Sequence, residues 1–290
     1  MSFFSLVLVL TSAAMHAAWN LLVRDQRSIN MFMCITVVSL TLFLAPLIWL
    51  EWTQLPVWSA VTWQILVGGI FLSIYYFGMT HSYHSGDFTV AYPLARALPV
   101  LLVACVEAVT GDAPSPLGWL GILMIAIGSV LVPLQSLREI SVARYWNRTT
   151  VWILVAVTGI AGYTIVDRNA LLHLPNGLTY AIRYAILEAI VGGILYWLVL
   201  RALGETIVLP ARLQDWKLPV FATCFVFGSY SLILWAFQSD DRASYVIGLR
   251  QIGIVFGVVA GAYLFRERGA RLRIPAAMVI TAGVILLSMA

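Results

Sequence analysis

Residues 92–101 read YPLARALPVL, and residues 248–256 read GLRQIGIVF. Each run sets one arginine, Arg96 or Arg250, among apolar neighbours. A charge at the centre of a bilayer costs about 3 kcal/mol or more, so each guanidinium must face protein or water and find a partner. What kind of chain accepts that cost twice is answered by the residues around these two.

The chain has 290 residues, of which 61% are hydrophobic and 10% charged. A soluble protein carries about 25% charged residues, so there is too little polar surface here to wrap a water-soluble globule. The apolar residues fall in runs of roughly 20, the length a helix needs to cross a bilayer. No run shows the alternation of a membrane β-strand. The expected fold is therefore an all-α membrane protein. Its apolar segments lie at about 3–23, 29–50, 60–83, 88–110, 117–135, 151–172, 178–200, 219–239, 243–265 and 274–289. The first carries no basic residue ahead of it and no cleavage signal, so it reads as a true span. Cys34, Cys105 and Cys224 all lie in apolar runs and pair with nothing recognisable, which suits packing rather than disulfides or zinc.

Ten spans leave short connections, and their charges are lopsided. Arg24, Arg27, Arg138, Arg144, Arg148, Arg201, Arg212, Lys217, Arg266, Arg268, Arg271 and Arg273, 12 of the 17 basic residues, fall on one side. The positive-inside rule assigns that side to the cytoplasm and both termini to the outside. The basic residues thus set orientation; they do not imply nucleic acid. The sequon at Asn147 would lie in a cytoplasmic loop and stay unglycosylated.

The chain can also be laid on itself. Arg96 falls on Arg250, Asp87 on Asp241, Trp19-Asn20 on Tyr163-Thr164, and Arg24 on Arg168. GWLGILMIAIGSVLV (118–132) falls on IPAAMVITAGVILL (274–287), with Gly128 on Gly283. The halves, 1–137 and 151–290, each hold five segments. Because five is odd, the second enters the membrane in the opposite sense. Inverted repeats of this kind place substrate sites near the midplane, where the halves meet.

These patterns resemble the drug/metabolite transporter superfamily, specifically its EamA-type members. HAAWNLLVR (16–24), SGDFTVAYPLARALPVLL (85–102), LFRER (264–268) and the glycine-rich 118–132 segment carry the resemblance. It implies ten transmembrane helices as two inverted five-helix repeats around a central cavity. Spans 1, 3, 4, 6, 8 and 9 would line that cavity, with spans 5 and 10 at the periphery. It further implies a carrier of small metabolites. The expected location is a bacterial inner (plasma) membrane, as monomer or homodimer, without cofactor.

Helical spacing nominates the lining. Arg96 and Arg250 lie seven or eight residues into their spans. They would either grip a substrate carboxylate or phosphonate by forked hydrogen bonds or staple neighbouring protein groups. Tyr92 shares the Arg96 face, as does Glu107 about 16 Å further along the axis, toward the outer rim. His16 and Asn20 share a face of span 1 beside Trp19. Tyr163 and Asp167 share one on span 6, with Thr164 and Arg168 on the adjacent strip. Tyr76, Met79, Thr80 and Tyr83 form a face of span 3, and Ser231, Trp235 and Gln238 one of span 8. Gly253, Gly257 and Gly261 recur on the Arg250 side of span 9, either for close helix packing or as a smooth cavity wall. His81, His84 and Asp87 cluster near one end of span 3, but nothing else converges on them and no metal is expected.

Glu188, near the middle of span 7, is a buried acid able to carry a coupling proton, or alternatively to pair with Arg96 or Arg250; Arg183 lies too far around the helix to be its partner. No Walker motif supplies ATP chemistry. HExxH and GxSxG are absent from the sequence, so the chain does not read as an enzyme. The expected function is secondary transport of a small anionic or zwitterionic metabolite, such as an amino acid, an organic acid or a phosphonate. Efflux of cationic or apolar drugs by the same fold is the alternative. An intramembrane enzyme or a non-transporting ligand-binding protein is the alternative of another class.

Overall fold

A computed structural model describes residues 2–23, 28–84, 88–132, 134, 148–239, 242–264 and 270–290. Within these it describes the backbone alone at 21, 83–84, 88–96, 257, 260–264 and 270–271. The side chains of Arg96, Tyr92, Tyr83 and His84, the packing around Gly257 and Gly261, and the residues Asp87 and Asn147 therefore lie outside the description.

Every regular element among the described residues is helical. In chain order they are α1 (Phe3–Leu22), α2 (Ile29–Thr53), the short α3 (Val57–Ala60), α4 (Thr62–His84), α5 (Phe88–Val109), α6 (Pro116–Leu131), α7 (Arg148–Leu172), α8 (Leu178–Ala202), α9 (Lys217–Phe237), α10 (Ala243–Leu249), α11 (Ile252–Leu264) and α12 (Ala270–Ser288). Six helical stretches among the described residues are long and apolar enough to cross a bilayer. They are Phe3–Asn20, Ile29–Thr53, Thr62–Ser82, Arg148–Leu172, Leu178–Ala202 and Leu213–Phe237.

The outside of the molecule is as apolar as its inside. Trp49, Trp52 and Trp63 are 68%, 88% and 71% exposed, and Ile48, Ile127, Val151 and Met278 are exposed with them. Water would penalise such a surface, whereas lipid does not. This is the exterior of an integral membrane protein, with tryptophans gathered at the α2–α4 end as they gather at headgroup depth.

Without a hydrophobic force between helices in lipid, close packing of small residues holds a bundle together. Here α4 packs on α7 and α8, α1 and α2 pack on α9, α5 lies on α6 and α7, and α6 crosses α12. Glycines set the closest approaches. A Cβ on Gly78 of α4 would stand 2.5 Å from the Ala156 nitrogen, and one on Gly159 of α7 would stand 2.5 Å from the Tyr75 nitrogen. In the other crossing, a Cβ on Gly121 would meet the Gly283 carbonyl at 2.8 Å, and the reverse holds at 2.7 Å.

Two features depart from the sequence reading. The ninth segment is not one helix: it breaks between α10 and α11 at Arg250 and Gln251. There the amides of Gln251, Gly253 and Ile254 bond three residues back, to Gly248, Arg250 and Gln251, a tighter turn than the α-helix provides. Gly248 and Gly253 flank the break. Glu107, read as lying toward the outer rim, is 5% exposed, and its Oε1 accepts the Ser244 amide at 3.2 Å, a contact that helical spacing does not foretell. That amide belongs to the first turn of α10 and has no partner within its helix.

One end of the bundle is tied by polar bonds. Arg183, fully buried, reaches Glu51 Oε1 at 2.5 Å and donates to the Leu55 carbonyl at 2.8 Å and Gln54 Oε1 at 3.3 Å. Asp112 is held by Arg168 at 3.2 Å and Arg242 at 3.4 Å. The Ser115 amide donates to the Tyr245 hydroxyl at 3.0 Å. Each of these bonds joins a residue before 137 to one after 151.

Candidate functional site

A polar cavity of about 90 Å³ lies between α1, α4, α5, α7, α9 and the α10–α11 break. A second lobe of about 90 Å³ continues toward α2 and α8 and shares His16, Trp19, Tyr75, Tyr163, Tyr230 and Arg250 with the first.

Arg250 enters because its helix ends there. The break turns the side chain away from the packed face of α10, and its Nη2 donates to Ser229 Oγ of α9 at 2.8 Å and to His16 Nδ1 of α1 at 3.0 Å. The Trp19 indole N–H also points at His16 Nδ1, at 3.1 Å. Guanidinium and indole nitrogens only donate, so Nδ1 accepts both and the ring proton sits on Nε2. His16 is thereby fixed as the neutral tautomer, and Arg250 supplies the positive charge of this wall. Asn20 bonds back to the His16 carbonyl at 2.7 Å, which sets its side chain at the cavity edge.

The facing wall is acidic and aromatic. Asp167 of α7 and Glu188 of α8 are both fully buried. Tyr184 donates to Asp167 Oδ1 at 3.0 Å. Tyr230 of α9 bonds both Asp167 Oδ2 and, at 2.8 Å, Glu188 Oε2. Tyr163 stands edge-on to Tyr75 and to Tyr230, at 6.0 and 6.1 Å between ring centres. The site thus offers the Arg250 cation, the Asp167 carboxyl group with Glu188 behind it, and π-faces, a set that suits a small charged solute with an organic body.

Of the residues nominated by sequence, His16, Trp19, Asn20, Met79, Tyr163, Thr164 and Arg250 line the first lobe, and Tyr76 the second. Trp235 and Gln238 do not. Trp235 donates to Asn176 Oδ1 and packs edge-on against Phe4. Gln238 donates to the Pro175 carbonyl at 2.9 Å and accepts the Gly177 amide at 2.9 Å, so both fasten the α7–α8 loop. Arg168 likewise points to Asp112 rather than inward. Glu188 pairs with neither Arg250 nor any other described cation, and Arg183 belongs to Glu51.

Sequence reasoning missed Tyr75, Ser229, Tyr230 and Gln251 as lining or supporting residues, and placed Asp167 on the right face without weighing it against Glu188. On α9 the nominated strip ran through Ser231, Trp235 and Gln238. The cavity strip is one residue over, through Tyr230, Ile233 and Phe237. A helix that is apolar all round has no polar side from which to orient it. The available signal was a run of hydroxyls, Ser229-Tyr230-Ser231, within an otherwise apolar stretch.

No protein-family model and no curated protein matches this chain. Among the solved structures that match is one described only as "Crystal structure of protein". It is 16% identical, covers 98% of this chain and 96% of its own, and has a TM-score of 0.71. At that identity the likeness establishes a shared fold and nothing about activity.

Proposed function

We propose that the chain is a secondary transporter of a small anionic or zwitterionic metabolite, moving it by alternating access about the central cavity. The observation that carries the reading is Arg250, a guanidinium held by His16 and Ser229 at a broken helix and presented to the central cavity. Broken helices beside a midplane cavity are how carriers expose binding groups within lipid. Amino acids, organic acids and phosphonates are the solutes such a cation would grip.

The inverted repeat supports this reading from the packing. Exchanging α1 with α7, α2 with α8, α4 with α9, α5 with α10–α11, and α6 with α12 turns the α4–α7 contact into α9–α1. It likewise turns α4–α8 into α9–α2 and leaves α6–α12 on itself. The sequence register behaves the same way. Gly121 against Gly283 becomes Ala276 against Gly128, and a Cβ on Gly128 would stand 2.9 Å from the Ala276 carbonyl. The polar ties between Arg183 and Glu51, and around Asp112, join the two halves at one end. They fit a state closed at that end, outside by the positive-inside rule. The ten-helix drug/metabolite transporter resemblance of the sequence agrees with this arrangement.

A second reading, efflux of organic cations, is favoured by the Asp167–Glu188 wall and its tyrosines, since buried carboxyl groups and π-faces attract cations. Uptake by proteoliposomes of radiolabelled glutamate, succinate, methylphosphonate and tetraphenylphosphonium separates the two. The transporter of anions and zwitterions moves one of the first three, and Arg250→Ala abolishes that flux without reducing the protein inserted. Flux of the phosphonium alone, insensitive to Arg250→Ala, sinks the first reading in favour of the second.

A further inference from the structure

Tyr230 has one hydroxyl hydrogen but meets two carboxyl groups, Asp167 Oδ2 and Glu188 Oε2. A phenol can donate to one of them; the other contact must be donated to the phenol oxygen by a carboxylic acid O–H. The remaining contacts say which. Asp167 already accepts the Tyr184 hydroxyl on its other oxygen, and two donated bonds stabilise its ionised form. Glu188 is fully buried, and apart from the neighbouring Asp167 carboxyl its Oε1 meets no hydrogen-bonding group among the described residues. Two anions this close, without a cation between them, would repel strongly in a medium of low dielectric. Asp167 also lies within hydrogen-bond reach of Glu188 itself, and the assignment that uses the Tyr230 bridge runs Glu188 O–H to Tyr230 oxygen, Tyr230 O–H to Asp167 Oδ2, Tyr184 O–H to Asp167 Oδ1.

We propose that Asp167 and Glu188 share one proton, stored on Glu188, and that Tyr230 relays it to Asp167 on the cavity wall. In the transfer the Glu188 O–H bond breaks as the proton joins the Tyr230 oxygen. The Tyr230 hydrogen passes at the same time to Asp167. Glu188 ends as carboxylate, Asp167 as carboxylic acid and Tyr230 unchanged, so charge and hydrogen balance with no other reactant. Asp167 lines the first lobe, whereas Glu188 lines neither, so the proton leaves the store through Asp167. The groups facing the pair are few. Tyr184 and Tyr230 touch it, Tyr163 and Tyr76 lie within electrostatic reach, and the Arg250 charge acts on Tyr163. Gly68 of α4 gives the pair its room: a Cβ there would stand 2.8 Å from Glu188 Oε1 and 3.4 Å from Asp167 Oδ1. The assignment deepens the transporter reading, on which its role as coupling ion rests.

Infrared spectroscopy of the whole protein in liposomes tests it without any substrate. A buried carboxylic acid C=O band is expected in the wild type. Glu188→Gln should abolish it, Asp167→Asn should retain it, and Glu107→Gln should leave it unchanged. After transfer to D2O, Tyr230→Phe should slow the hydrogen-to-deuterium shift of this band at least tenfold, which mere loss of packing would instead accelerate. A band that survives Glu188→Gln overturns the store, and exchange in Tyr230→Phe as fast as in the wild type overturns the relay. Slowed exchange without flux of any labelled solute keeps the relay and removes transport. Unslowed exchange with flux driven by a pH gradient keeps transport and removes the relay.

Discussion

An arginine in lipid is defined by what its five N–H groups meet, and this protein uses two in opposite ways. Arg183 is consumed by structure: Glu51, Gln54 and the Leu55 carbonyl receive it at the tied end of the bundle. Removing one partner of a buried ion pair costs about 3–5 kcal/mol. Arg183→Ala should accordingly lower the thermal unfolding midpoint in detergent by several degrees. Arg250→Ala should leave that midpoint nearly unchanged while weakening solute binding by about 2–5 kcal/mol, the usual cost of truncating a buried hydrogen-bonded charge; isothermal titration with the transported solute reads it. Sequence distinguished these residues only in part. Arg250 stood out because its neighbours are apolar. Arg183 sat beside Tyr184 and near Glu188 in one helix, and its true partner is 132 residues away, a separation that helical spacing cannot bridge. Gly68→Ala belongs to this scale too. Its methyl would press on Glu188 Oε1, and the infrared band assigned to the stored proton should move or vanish while helix content in circular dichroism holds.

At the scale of the element, the helices themselves were legible. Runs of about twenty apolar residues admit one explanation in lipid, because every backbone group must be bonded within its own segment. The helices α1, α2, α4 and α7 to α9 begin and end within a few residues of the runs that foretold them. Rotation about the helix axis was less legible, as Trp235 and Gln238 show. The break in the ninth segment was not legible at all, since Gly248 and Gly253 read equally well as packing glycines. The closest crossing, α4 on α7, depends on having no side chain at two points. Gly78→Leu or Gly159→Leu would drive carbon into the facing backbone, and overpacking of this kind costs about 1–3 kcal/mol or more. Lower yield of folded protein in size-exclusion chromatography is expected for either. Gly204→Leu, where a Cβ would meet nothing within 4 Å, carries only the strain of a backbone at φ 75° and should be far milder.

For the whole molecule, the sequence proposes a repeat at an offset of roughly 144–155 residues, because polar positions recur in order, Arg96 on Arg250 among them. Which end of the bundle is tied was not legible, because it depends on loop residues such as Asp112 and Ser115, which carry no periodic signal. Breaking that tie should shift the population. Asp112→Asn removes the charge that holds both Arg168 and Arg242. In this variant, a cysteine placed at Ile233 should react faster with a membrane-impermeant thiol reagent added on the Asp112 side. An unchanged labelling rate would show that these bonds do not bar entry.

The glycine crossing of α6 with α12 is a contact that the proposed exchange of halves returns to itself. If the halves rock as the proposed transport requires, a line through this crossing is where the displacement is least, as at the pin of a pair of shears. Chemical cross-links near that pin should leave the stroke free, whereas one of equal length between the arms at positions 112 and 242 should jam it.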